Sequence, residues 1–227
     1  MRNSTLIYII GLAAVSSFAN AQTTWLSSSP TATSYYGGAL INFTNNSAGN
    51  LQLTGKFDLN LSGAGGFANT YQVYSKSSAL SGTETNASLW TLLGTASVSS
   101  SNPQGTFTTI DVNNTLLVNA GQTVGLAFFI STPPDGGGNF PSGGFIGYRS
   151  GASTFTDGTA TITTGLAKGY RGGFDANSDL LFDVDTFNPR TWSGQVQYTT
   201  APVPEPASMA AIGMFTIGFF ARKRKKS

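Results

Sequence analysis

The sequence predicts an all-β protein, an antiparallel β-sandwich that is jelly-roll-like, and three observations carry that expectation. Ser, Thr, Asn and Gly number 26, 29, 16 and 28 and fill 99 of the 227 positions, the weighting of a chain made of short strands and many turns. Hydrophobic residues make up 40% and charged residues 10%, too apolar for a disordered chain and too poor in strong helix formers for a bundle. Alternating apolar and polar positions recur along the body, and no stretch of it carries a helical period.

Residues 1–21 have the order of a secretory signal peptide. Met1-Arg2-Asn3 supplies a positive start, residues 6–15 are almost wholly apolar, and Ala19 and Ala21 place small side chains at the −3 and −1 positions before Gln22. Cleavage by signal peptidase after Ala21 is expected, leaving a body of residues 22–202.

The body opens with a Ser/Thr-rich stretch, 23–36, that reads as an extended lead-in or first strand. Its clearest signal follows: Leu51, Leu53, Gly55, Phe57, Leu59 and Leu61 alternate with Gln52, Thr54, Lys56, Asp58 and Asn60, the period-two pattern of a half-buried strand. Tyr71 and Val73, then Val124, Leu126, Phe128 and Ile130, then Trp192, Val196 and Tyr198 around Gly194 repeat it. Thr159, Thr161 and Thr163 around Ala160 and Ile162 suit the wet face of a sheet. Turn-rich segments at 62–68, 99–105, 133–138 and 141–144, and Asn113-Asn114, separate these runs. Eight or more short strands without crossover helices predict two packed antiparallel sheets.

Absent residue types exclude several chemistries. The chain has no Cys and no His, so it has no disulfide, thiolate, imidazole base or Ser-His-Asp triad. The formal charge of +2 is misleading, because the basic residues crowd at the ends. Residues 22–202 hold six Lys/Arg against nine Asp/Glu, and a weakly acidic body without a cationic patch argues against nucleic acid as a partner.

The last segment, 203–227, has three parts. Val203-Pro204-Glu205-Pro206 precedes an uncharged run at 207–221, and Arg222, Lys223, Arg224, Lys225 and Lys226 follow in a basic tail, 222–227. Proline blocks helix continuation ahead of the run, and the basic cluster is expected to remain cytoplasmic, making 207–221 a C-terminal membrane helix. This terminus resembles the PEP-CTERM sorting signal of Gram-negative bacteria, with Pro204, Glu205 and Pro206 matching its tripeptide. The resemblance implies transient anchoring in the inner membrane and handling by an exosortase-like transpeptidase, which cuts near the motif. It also implies a place at the cell surface or in the exopolysaccharide of a biofilm matrix.

Three phrases of the body resemble a β-sandwich module of exported bacterial surface proteins: residues 86–94 around Trp90, residues 119–125 around Gly121, and Pro189-Arg190-Thr191-Trp192-Ser193-Gly194. That resemblance implies display or adhesion and carries over no catalytic residue.

Two chemical constellations remain. Asp175, Asn177, Asp179 and Asp183 have the alternating oxygen spacing of a calcium loop, although Leu180 and Thr186 stand where an EF-hand needs Gly and Glu. Tyr35, Tyr36, Tyr71, Tyr74, Phe140, Phe145, Tyr148, Tyr170 and Trp192 supply rings; exposed ones stack on sugars, and those in strand patterns belong to the core. Asp135-Gly136-Gly137-Gly138 lacks the lysine of a phosphate loop. The expected function is that of an exported, non-enzymatic surface or matrix protein, structural or adhesive and without a required cofactor. A carbohydrate-binding module is the second reading. A glycan-cleaving enzyme with two carboxylates is the third, with Asp111 and Glu84 read as surface residues.

Overall fold

The structure, a computed structural model of the 227-residue chain, describes residues 21–29, 31–131, 143–168 and 186–200. Among the described residues the chain forms strands β1 (Thr23–Ser27), β2 (Ser34–Tyr36), β3 (Gly38–Asn45), β4 (Leu51–Asn60) and β5 (Asn69–Lys76). Then come β6 (Thr91–Val98), β7 (Phe107–Asp111), β8 (Leu116–Val118), β9 (Thr123–Ile130) and β10 (Ile146–Ser150). The last are β11 (Thr154–Thr156), β12 (Ala160–Lys168), β13 (Thr186–Phe187), β14 (Arg190–Trp192) and β15 (Gly194–Thr200). Among the described residues one 3-10 turn, Ala87–Leu89, interrupts this all-β course.

All pairings are antiparallel, as expected, and they make three sheets where the sequence predicted two. A five-stranded sheet runs β1-β15-β4-β7 with β8 also on β4, and a seven-stranded one runs β11-β12-β3-β9-β5-β6 with β13 on β12. The additional sheet, β14-β10-β2, arises from two one-residue breaks. Gly37 separates β2 from β3 and Ser193 separates β14 from β15, so the outer ends of two long extended segments leave the main sheets. β10 then joins them, pairing Tyr148 with both Ser34 and Trp192.

The two main sheets face each other across one core. Leu53, Phe57, Leu59 and Val196 from the first meet Phe43, Val73, Leu126 and Phe128 from the second, all essentially inaccessible to water. Each such side chain contributes roughly 1.5–3 kcal/mol by leaving solvent. Phe128 stacks on Trp192 with centroids 4.8 Å apart and meets the edge of Phe57 at 5.1 Å. Gly194 is required beside this stack, because a Cβ there would run into the Trp192 ring and the Asp58 carbonyl.

β4 keeps its predicted alternation across an irregularity. Val196 pairs with Phe57 and Tyr198 with Leu53, so β4 uses four residue steps where β15 uses two. An even excess leaves Leu53 and Phe57 on the same face. Gly55 absorbs the distortion at φ 84°, the left-handed region open to glycine.

The seven-stranded sheet also has an apolar outer patch, which the alternation in β9 did not predict. Leu40, Ala127, Phe129 and Leu166 lie there under Trp90. The segment 77–90 covers them, held by Trp90 Nε1–H donating to the Glu84 carbonyl at 3.2 Å and by Lys76 Nζ donating to the Ala79 carbonyl at 3.2 Å. Trp90 is thus buried although it lies outside any strand.

The chain enters and leaves the sandwich at one end. Thr23 lies opposite Thr199, and Thr200 opposite Leu51; Gly194, β14 and β10 lie at the other end. The compact unit spans Gln22–Ala201, and Gln22 itself is exposed. Ala19, the motif Val203-Pro204-Glu205-Pro206, the run 207–221 and the basic cluster lie outside the described residues. Among the described residues no helix is long and apolar enough to cross a membrane.

Candidate binding face at the sandwich end

At the end opposite Thr23 and Thr199 lies the three-stranded sheet, whose Tyr36 and Tyr148 form an aromatic column with Phe187 of the seven-stranded one. Tyr36 of β2 lies between two rings: Tyr148 of β10, with centroids 5.0 Å apart and planes at 17°, and Phe187 of β13, at 4.6 Å and 14°. Strand pairing sets this up by placing Tyr36 opposite Ile146 and Phe187 opposite Ala167. Tyr36 and Phe187 are half-buried, whereas Tyr148 retains only 4% of its surface. Burial pushes the Tyr148 hydroxyl above its ordinary pKa, and the hydrogen bond with Tyr36 adds to that rise against the lowering effect of hydrogen bonds with Ser34 and Arg190.

Arg190 of β14 brings a cation to the column. Its Cζ is 5.6 Å from the Tyr148 centroid and 5.8 Å from that of Phe187, within cation–π range. One terminal nitrogen donates to the Pro189 carbonyl at 2.8 Å, while Nε is buried without a hydrogen-bond partner. The guanidinium carries five N–H donors in a planar fork.

The four acids among the described residues are engaged elsewhere. Asp58 accepts from the Thr109 hydroxyl at 2.6 Å, Asp157 accepts from Tyr198, Glu84 accepts from the Gly82 amide at 2.9 Å, and Asp111 lies 3.9 Å from Lys56. Asp111 sits on β7 of the five-stranded sheet, and Glu84 lies in the cover over the outer face of the seven-stranded one. These two acids are therefore on opposite faces of the sandwich. Burial raises the Asp58 carboxyl above its usual value, against the lowering effect of the Thr109 hydrogen bond.

A polar clamp beside the aromatic column holds the lead-in strand. The Ser28 hydroxyl donates toward the Trp192 and Gly194 carbonyls at 2.8 and 2.9 Å, and the Ser193 hydroxyl donates to the Ser29 carbonyl at 2.7 Å. Asn60 Nδ2 donates to Ser193 Oγ at 3.1 Å, and Asn60 Oδ1 accepts from the Gly105 amide at 3.0 Å. Buried polar groups satisfied in this way rigidify the platform under β14.

Of the rings singled out by sequence, Tyr36 and Tyr148 come together here, whereas Tyr71 and Trp192 are core. Tyr35 is half-buried on the adjoining position with its hydroxyl buried and unpartnered. Tyr74 packs against Phe129 at 6.1 Å, and Phe145 is half-buried. Phe140 and Tyr170, and the calcium candidates Asp175, Asn177, Asp179 and Asp183, lie outside the described residues. Among the described residues no three potential ligands cluster closely enough to hold a metal ion.

Sequence reasoning missed Phe187 and the role of Arg190, which no local period marks. It also missed Trp25, half-exposed on β1 opposite Gln197 on the outer face of the five-stranded sheet. The buried position of Leu26 next to it is the signal, since neighbours on a strand face opposite ways.

No family model matches the chain, and no curated protein matches it. Among solved structures it is similar to "Structure of infectious bursal disease virus Gt strain" at 14% identity and a TM-score of 0.26, covering 92% of this chain and 51% of that one. The Gx strain structure of the same virus gives 15% identity and a TM-score of 0.26, with coverage of 96% and 53%. The chain thus spans about half the length of the structures it matches, and likeness at that level carries no functional argument.

Proposed function

We propose that this is an exported surface or matrix protein whose jelly-roll-like sandwich acts by binding rather than catalysis, as a structural or adhesive component of exopolysaccharide. Signal peptidase removes residues 1–21, and an exosortase-like transpeptidase acts at Val203-Pro204-Glu205-Pro206, with 207–221 held transiently in the inner membrane. The observation that carries the reading is the placement of the chain ends: Thr23 and Thr199 leave the sandwich at one end, and the Phe187-Tyr36-Tyr148 column with Arg190 occupies the other. A domain held after Thr200 presents that column away from its attachment point. Aromatic rings beside polar donors are the ordinary furniture of sugar recognition, which favours the carbohydrate-binding reading as the form that adhesion takes.

The test follows the protein in its own cells. Mass spectrometry of matrix, membrane and cytoplasmic fractions should find the chain beginning at Gln22 and ending near Pro204 in the matrix, and Pro204→Ala with Glu205→Ala should retain it in the membrane. Uncut full-length protein in the cytoplasm would overturn the reading.

A further inference from the structure

We infer that the Arg190 face binds a carboxylated sugar, a uronate unit of an acidic polysaccharide, rather than a neutral glycan. This deepens the reading above and rests on it. Three observations point to an anion. The guanidinium is half-buried against the rings of Tyr148 and Phe187, its Nε is buried with no partner, and every acid among the described residues has a partner of its own.

A charge placed in this way costs desolvation that the rings return only in part. A planar carboxylate completes the arrangement, because a guanidinium fork engages its two oxygens side by side. The ring edges of Tyr36 and Phe187 meanwhile supply an apolar border for the C–H face of the same sugar. Among the described residues no acid pairs with this cation, and a neutral glycan would bring none.

The experiment measures binding of the full chain, purified in detergent, to polygalacturonate and to dextran by co-sedimentation at low and high salt. The expected result is retention on polygalacturonate that falls as salt rises, with little retention on dextran. Arg190→Gln should weaken polygalacturonate binding at least tenfold, and Arg190→Lys should recover only part of it, because lysine restores charge without the fork. Both variants should still melt cooperatively as folded proteins, since Arg190 is not in the core, and Tyr36→Ala provides a second loss at the same face. Unchanged polygalacturonate binding by Arg190→Gln, or equal retention on dextran, overturns the inference. Retention on the producing cell's own polymer without any on polygalacturonate overturns the inference alone, and retention on neither overturns the adhesive reading with it.

Discussion

The Tyr198 hydroxyl donates a 2.6 Å hydrogen bond to Asp157 Oδ2, tying β15 of the five-stranded sheet to the β11–β12 turn of the seven-stranded one. Asp157 Oδ1 accepts in addition from the Thr159 and Ala160 amides at 2.9 and 2.8 Å, so one carboxylate shapes a turn and joins two sheets. Tyr198→Phe removes one hydrogen bond to a charged group and should cost about 1.5–3 kcal/mol. Asp157→Ala should cost more, because it also leaves two backbone donors unmet. Urea midpoints of the two variants check the order.

The same pair predicts the alkaline behaviour. Burial, reinforced by the hydrogen bond and the negative charge of Asp157, pushes the Tyr198 hydroxyl well above its ordinary pKa of 10.0. Above pH 10 the unfolded chain therefore loses that proton first and the folded chain holds it, so stability falls as pH rises further. Tyr198→Phe should lose stability less steeply over this range, as measured by urea unfolding at pH 8 and pH 10.5.

Asp58 predicts the opposite-looking acid effect. Its carboxyl is raised above 3.8 by burial, so the folded state takes up a proton before the unfolded one as pH falls. That group's contribution to stability rises on acidification through the raised value. Asp58→Asn keeps an acceptor for Thr109 and carries no buried charge. The variant should match or exceed the parent at pH 7 and lose this advantage near pH 4, as thermal melts across that range would reveal.

Gly55 distinguishes steric conflict from backbone strain. A Cβ at this position would overlap the Asn114 carbonyl, whereas one at Gly66, which has a similar positive φ, meets open space. Gly66→Ala should cost about 1 kcal/mol from the left-handed conformation alone, and Gly55→Ala about 2 kcal/mol or more. Denaturant unfolding of the two variants measures the difference directly.

Trp90 holds the cover over Leu40, Ala127 and Phe129. Trp90→Ala should cost about 3 kcal/mol and raise amide exchange across residues 77–90 first, because the main core lies on the other face of the sheet. Exchange at Phe57 and Leu59 should change least.

Much of the fold was legible. The Leu51–Leu61 alternation survives in β4 even through the irregularity at Gly55, because two extra residues preserve the face on which each side chain points. The all-β class, the core positions of Phe57, Phe128 and Trp192, and a first strand within 23–36, found as β1, followed from period and composition. The third sheet did not, because nothing local to Gly37 or Ser193 states which strand will capture a freed segment. Trp25 and the apolar outer patch at Phe129 escaped for a similar reason: whether a sheet face is wet depends on what else folds over it.

By itself the sequence determined the all-β class and the inward faces of the main strands, since these depend on spacing within a few residues. Tertiary structure alone decided the candidate site. Tyr36, Tyr148, Phe187 and Arg190 meet because β10 bridges β2 and β14 and β13 pairs with β12. The β2–β10 pairing joins segments more than a hundred residues apart, and all three pairings form through backbone hydrogen bonds that are open to any side chain and therefore leave no local pattern.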